Sequence, residues 1–118
     1  MARPIRIEYP GAMYHVMCRG NNGRDVFFGE DGCKKFLDTL DEACMRAGWF
    51  VHAYVLMGNH YHLLLETPEG NLVDGMKWFQ GTYTQRINAW QGRRGRLFQG
   101  RYKAQLINSE QRDDDYFQ

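Results

Sequence analysis

The chain has 118 residues and a formal net charge of +1, a length sufficient for one hydrophobic core and too short for two. It has no apolar run of about 18 residues, so it predicts no membrane span, and its Arg-bearing N-terminus lacks the apolar segment of a signal peptide. The three cysteines form no C-x-x-C pair, which favours a reducing, cytoplasmic setting.

The first part of the chain predicts one strand and one helix. Residues 13–19 alternate between two faces, with His15 on the face opposite the one that Tyr14 would bury. Residues 31–47 carry apolar side chains at helical spacing, and Gly48 provides a typical helix C-terminal stop. His15 is expected to be structural or to lie on the sheet face near a site.

The centre of the chain predicts a β-hairpin, because Gly58-Asn59 separates two apolar runs, 49–57 and 60–66. Alternate side chains of a strand share a face, so His60 and His62 stand side by side at the start of the second strand. Two imidazoles at this spacing can hold one divalent metal ion. The alternative is a pair of half-exposed histidines without a ligand.

The last part of the chain predicts a second helix and a final strand. Asn71 precedes the helix, with Asp74 in a position typical of a capping box, and the apolar stripe of the helix runs to Trp90. The final strand ends near Ile107. The order strand, helix, strand, strand, helix, strand predicts an α+β, ferredoxin-like split βαβ fold (βαββαβ), with an antiparallel sheet and both helices on one face.

The segment from residue 77 to residue 103 contains seven basic residues, no acidic residue and several aromatic ones. A segregated basic stretch of this kind can neutralise phosphates even when the whole chain is nearly neutral. The pattern favours nucleic-acid binding over a merely solvated surface. The candidate contacts are Lys77, Arg86, Arg93, Arg94, Arg96, Arg101 and Lys103.

Four ordered strings carry a resemblance to a known family. Asn59-His60-Tyr61-His62-Leu63-Leu64 resembles the HUH motif (His, bulky hydrophobic, His) of single-tyrosine transposases. Residues 9–16 with 19–21, residues 83–88 and residues 97–104 resemble, in the same order, the REP-associated tyrosine transposases of the insertion-sequence-200-like family. The resemblance covers nearly the whole chain and implies the same ferredoxin-like fold.

The resemblance implies a DNA transposase that binds hairpin (palindromic) DNA and cleaves and rejoins single strands through a phosphotyrosine intermediate. His60 and His62 would hold Mg²⁺ or Mn²⁺, and Gln85 and Arg86, within the string Tyr-Thr-Gln-Arg, would contact DNA. Members of this family often work as homodimers. The resemblance therefore implies single-stranded or hairpin DNA and a second copy of the chain as partners.

The sequence departs from the family at its C-terminal end. The family's nucleophilic tyrosine lies on a helix after the fourth strand, and Tyr116 is the only tyrosine in that neighbourhood of the printed sequence. Residues 1–118 are therefore expected to be a single transposase (HUH) domain that lacks the tyrosine-bearing helix. Tyr116 is the candidate nucleophile within these residues, and the alternative is a nucleophile that lies beyond Gln118. The alternative function is a hairpin DNA- or RNA-binding module that does not cleave.

Overall fold

A computed structural model describes residues 8–107. Within that range the chain forms four strands and two α-helices around a short 3-10 turn (Asn21–Gly23). In chain order the elements are β1 (Ala12–Arg19), α1 (Gly29–Ala47), β2 (Phe50–Met57), β3 (His60–Thr67), α2 (Leu72–Gln91) and β4 (Lys103–Ile107).

The strands form one antiparallel sheet in the order β2-β3-β1-β4. Both central strands alternate strictly between buried and partly exposed side chains, as expected for a sheet with one covered face. The buried side chains of β1 and β3 pack with those of both helices in one core. The predicted α+β, split βαβ fold is confirmed.

The covered face of the sheet and the helices share an aromatic centre. Phe36 of α1 packs edge-on against Phe79 and Tyr83 of α2, with ring centres 5.1 Å away in both cases. Tyr61 of β3 lies 5.0 Å from Phe36 and is fully buried. Edge-to-face contacts of this kind add to the free energy of simple apolar burial. They fix both helices against the same face of the sheet.

Each helix ends at a glycine. Gly48 adopts the left-handed conformation (φ 73°) after α1, and Gly92 does the same (φ 64°) after α2. Each glycine N–H returns to a carbonyl in the last helical turn. The predicted stop at Gly48 is confirmed. Glycine favours this position because it has no Cβ to clash in the left-handed conformation.

The N-terminus of α2 differs from the predicted capping box. Asn71 occupies the cap position, but its side chain makes no capping hydrogen bond. Its Oδ1 instead accepts a hydrogen bond from Trp49 Nε1 at 3.0 Å, and its Nδ2 donates to the Ala47 carbonyl at 3.0 Å. These tertiary hydrogen bonds of Asn71 replace the predicted capping bond, and they join the end of α1 to the start of α2.

The apolar stripe of α2 is buried from Leu72 to Ile87, but its last predicted member is not. Trp90 is 40% exposed, and Lys35 Nζ lies 4.8 Å from its ring centre in a cation–π contact. The prediction of a core position for Trp90 was wrong because α2 has passed the edge of the core at this turn. Neither helix in residues 8–107 has the length and apolarity needed to cross a membrane.

Candidate active site on the open face of the sheet

The sheet face opposite the helices, here called the open face, is not covered by any described element. It carries the alternate side chains that the core leaves out, and residues paired across neighbouring strands share it. In register, His60 faces Arg19 of β1, and His62 faces Met17 of β1 and Val55 of β2. The two histidines predicted to form a metal site therefore lie together on this face.

The two imidazoles are close and mutually perpendicular. Their ring centres are 5.1 Å apart, with an angle of 83° between the ring planes. A metal–nitrogen bond of about 2.1 Å places the ring centres of two imidazoles on one ion roughly 5 Å apart. The spacing of His60 and His62 therefore fits a shared divalent ion.

Each histidine has its Nδ1 atom engaged. His60 Nδ1 lies 2.8 Å from Asn59 Oδ1, and His62 Nδ1 lies 2.9 Å from Nε2 of His15. The Asn59 oxygen can only accept, so His60 carries its proton on Nδ1 and keeps a lone pair on Nε2. If His62 donates to His15 in the same way, both Nε2 atoms are free to bind a metal, and no described group hydrogen-bonds to either.

The electrostatic environment keeps His62 neutral. Partial burial is the main cause that lowers the pKa of the His62 imidazole below its ordinary value of 6.5. Electrostatic interactions with His15, His60 and Arg19 lower the same pKa further. A neutral imidazole is the form that binds a metal, so this environment favours a ligand role near neutral pH.

The sequence predicted the sheet face on which His15 lies, but not its contact with His62. Its ring lies edge to edge with that of His62, with ring centres 5.1 Å apart and an interplanar angle of 15°. The alternation within β1 indicates the face of His15. Which strand lies beside β1 depends on the order of strands in the sheet, and the pattern of one strand does not reveal that order. His15 thus becomes a partner of a candidate metal ligand.

No third ligand accompanies the pair within residues 8–107, where no group of three or more His, Cys, Asp or Glu side chains could hold a metal. Glu66 shares the face of His62, but its carboxylate lies 2.9 Å from His52 Nε2 at the other end of the strand. Two imidazole donors leave the remaining coordination positions to oxygen atoms from other sources. Mg²⁺ and Mn²⁺ prefer such oxygen ligands.

The predicted DNA-contacting residues fall into two groups. Lys77, Gln85 and Arg86 lie on α2, in the helix layer rather than on the open face. Arg86 forms a two-pronged ion pair with Glu42 of α1, at 2.6 and 3.1 Å, and also donates to Thr39. In this structure Arg86 therefore joins the two helices, and its predicted contact with DNA stays a prediction.

The second group follows α2, and the structure brings Lys103 of this group near the histidines, because Lys103 and His62 both pair with Met17 of β1. Backbone hydrogen bonds from Asn21 N to Leu97 O and from Gln99 N to Arg19 O hold residues 97–99 against the end of β1. That end of β1 pairs with the His60 end of β3. The exposed residues of this second group are Arg94, Arg96, Arg101 and Lys103, while Arg93 is partly buried and donates to Asn88.

The tyrosines of the strands do not reach the histidine pair. Tyr14, Tyr54 and Tyr61 all take the helix-covered side of the sheet, because each is paired with, or lies beside, a core position. Tyr116, the candidate nucleophile, lies outside the described residues. The role of a tyrosine at this site stays a prediction.

The family model described as "Transposase IS200 like" matches residues 8–115. A comparison with curated protein sequences found no match.

Two solved structures share the fold. A REP-associated tyrosine transposase bound to a REP hairpin superposes with a TM-score of 0.79 at 14% identity, over 99% of this chain and 67% of that one. A crystal structure of a protein from Deinococcus radiodurans R1 assigned as a transposase superposes with a TM-score of 0.68 at 19% identity, over 92% of this chain and 88% of that one. These likenesses show the shared architecture, and the match of the family model over most of the sequence shows that the chain belongs to the IS200-like transposase family.

Proposed function

We propose that the chain binds hairpin DNA at palindromic ends and cleaves and rejoins single-stranded DNA beside them, as a metal-dependent transposase. One observation carries the proposal. His60 and His62 lie side by side on the open face with each Nδ1 engaged, so that both Nε2 atoms are left for a ligand. The solved relative bound to a REP hairpin supports the choice of a hairpin as the DNA, and of the REP-associated branch.

The chain's own residues would hold and orient the reacting groups. His60 and His62 would supply the two nitrogen ligands, and Asn59 and His15 would fix the tautomer and the ring plane of each. When bound, a Mg²⁺ or Mn²⁺ ion would polarise the scissile phosphate and hold it for in-line attack. Arg96, Arg101 and Lys103 lie where they could bind phosphates of the hairpin stem.

The proposed cleavage is a transesterification. A tyrosine hydroxyl loses its proton and bonds to phosphorus, and the bond to the 3′ oxygen breaks, which leaves a 5′-phosphotyrosine and a free 3′-OH. Attack by that 3′-OH on the phosphotyrosine reverses the step and rejoins the strand. Tyr116 is the proposed nucleophile within the printed sequence.

A homodimer is a further part of the proposal, since the open face leaves room for a group contributed by a second copy. The edge strand β2 borders that face with large exposed side chains. Val55 is 51% exposed and Met57 is 48% exposed, and both face the histidine-bearing strand. Analytical ultracentrifugation, with and without hairpin DNA, measures the stoichiometry that the proposal requires.

A second function, hairpin binding without cleavage, is favoured by a different observation. Within residues 8–107 no tyrosine stands on the open face beside the histidines, and no third metal ligand joins them. A binding module would use the same basic surface and would not depend on His60 or His62.

The two functions separate in one experiment with labelled single-stranded DNA that contains a hairpin from a palindrome flanking the gene. The protein is incubated with this DNA and Mn²⁺ and is then run on a denaturing gel. Cleavage predicts a covalent protein–DNA band that disappears in His60→Ala and in Tyr116→Phe and persists in His52→Ala, a histidine at the far end of the sheet.

Salt-sensitive binding without any covalent band would support the binding module. A covalent band that persists in His60→Ala would contradict the proposed role of the histidine pair.

A further inference from the structure

Arg19 is the last residue of β1 and stands on the open face directly opposite His60. Facing residues of antiparallel strands have Cα atoms about 4.5–5.5 Å apart, so the side chain of Arg19 starts beside the candidate metal site. Arginine is long enough to place its guanidinium over or beyond the neighbouring imidazole. The basic segment that the sequence singled out, residues 77–103, does not include this residue.

The backbone of Arg19 is fixed on both sides. Gly20 N donates to Asn59 O at 2.8 Å on the hairpin side, and Gln99 N donates to Arg19 O at 2.8 Å on the other. Gly20 has no room for a side chain, because an added Cβ would lie 2.0 Å from the Arg24 carbonyl oxygen. Arg19 is therefore held on a rigid strand end rather than on a loose loop.

The charge of Arg19 has no partner within the described residues. Some other described cations are engaged: Arg86 pairs with Glu42, and Lys34 pairs with Asp38. Arg46 lies over the ring of Trp78. Arg19 is exposed and makes no ion pair or side-chain hydrogen bond with residues 8–107. Its guanidinium keeps all of its donors for a ligand.

An unpaired guanidinium beside a metal-binding pair has an electrostatic consequence. Its charge repels a divalent cation, which weakens metal binding in the absence of an anion. A phosphate that lies between the metal and the guanidinium attracts both of them. With the phosphate present, the guanidinium therefore strengthens metal binding instead of weakening it. The arrangement is unfavourable for binding a metal alone and favourable for binding a metal together with a phosphodiester.

We propose that Arg19 binds the non-bridging oxygens of the scissile phosphate, opposite the metal held by His60 and His62. This assignment rests on the proposed function. The planar fork of arginine matches two phosphate oxygens, whereas lysine offers one point charge. Arg19 thus selects a phosphodiester for the open face and makes the binding of metal and DNA mutually dependent.

The test uses three variants of the chain: Arg19→Gln, Arg19→Lys and, as a matched control, Lys34→Gln. Lys34 is a helix-surface cation with a 73% exposed side chain, so the control removes the same charge away from the open face. Two quantities are measured for each variant. One is the affinity for Mn²⁺ alone, and the other is the affinity for a hairpin DNA with a single-stranded flank in Mn²⁺, over a series of salt concentrations.

The proposal predicts effects of opposite sign in Arg19→Gln. Mn²⁺ alone binds about two- to fivefold more tightly, because a nearby positive charge is gone. Hairpin DNA binds about tenfold more weakly, and the slope of log affinity against log salt falls by about 0.7, the value for one phosphate contact on a single strand. Arg19→Lys keeps the salt slope but recovers only part of the affinity. Lys34→Gln changes neither quantity.

A scan with single methylphosphonates along the flank locates the contact. In the wild-type protein one neutralised phosphate weakens binding, and in Arg19→Gln that same position has no further effect. Arg19→Gln that binds DNA as Lys34→Gln does would overturn the inference and leave the proposed function intact. Weaker DNA binding without tighter Mn²⁺ binding would overturn the assignment to the phosphate at the metal pair. A wild-type protein that binds no hairpin would overturn both.

Discussion

The hydrogen bond between His15 and His62 gives a quantitative prediction for metal affinity. It joins His15 Nε2 to His62 Nδ1 at 2.9 Å, and the two rings are nearly coplanar, at an angle of 15°. Replacing His15 with alanine removes this bond and the contact that holds the plane of the His62 ring. Nε2 of His62 is then no longer directed toward the position that it shares with His60.

The expected loss follows from two contributions. A neutral imidazole released from its partner has two tautomers and two ring flips, so selecting one of four arrangements costs roughly 0.8 kcal/mol. A neutral hydrogen bond of this kind contributes about 1 kcal/mol net. Together these predict a loss of about twentyfold in Mn²⁺ affinity for His15→Ala, within the range of about 10–100-fold seen for outer partners of metal ligands.

The assay is a titration of Mn²⁺ followed by the electron paramagnetic resonance signal of the free ion. His52→Ala is the matched control, since His52 is exposed and is bonded to Glu66 rather than to the pair. His15→Gln, which can still accept a hydrogen bond, is expected to recover part of the affinity. An affinity in His15→Ala within twofold of that in His52→Ala would show that His15 does not orient the His62 ring for metal binding.

Two further predictions concern stability. Gly75→Ala should destabilise the protein by roughly 2–3 kcal/mol in urea denaturation, because its Cβ would lie 2.0 Å from Cζ2 of Trp49. Gly81→Ala on the same helix meets nothing within 4 Å and should stabilise the protein by about 0.5–1 kcal/mol. Equal effects of the two substitutions would contradict the packing described. Burial raises the pKa of Tyr61 and Tyr83 above the ordinary value of 10.0, so above that pH the unfolded chain releases protons that the folded chain retains, and stability should fall as pH rises. Phenolate absorbance that rises for all tyrosines before circular dichroism reports unfolding would contradict this second prediction.

The sequence predicted the fold well because its signals were local and mutually consistent. Gly58-Asn59 and the two flanking apolar runs defined the hairpin, and Gly48 marked the end of α1. Where the prediction failed, a tertiary contact had replaced a local one. Asn71 bonds to Trp49 instead of capping α2, and Trp90 lies past the edge of the core. Neither contact is encoded in the spacing of one helix.

The candidate site was predictable only in part, for the same physical reason. Strand alternation placed His60 and His62 on one face without knowledge of any other strand. The contacts of His15 and Arg19 with that pair depend on β1 lying beside β3 in a particular register. Arg86 shows the converse case, because its charge was visible in the sequence but its partner Glu42 was not.

Nuclear magnetic resonance of the histidine side chains during addition of Mn²⁺ would show whether His60 and His62 hold a divalent metal on the open face. Mn²⁺ broadens the resonances of nuclei close to it. If the pair binds the ion, the signals of His60 and His62 disappear first, those of His15 follow, and those of His52 persist. Equal broadening of all four histidines, or loss of the His52 signal first, would contradict metal binding by this pair.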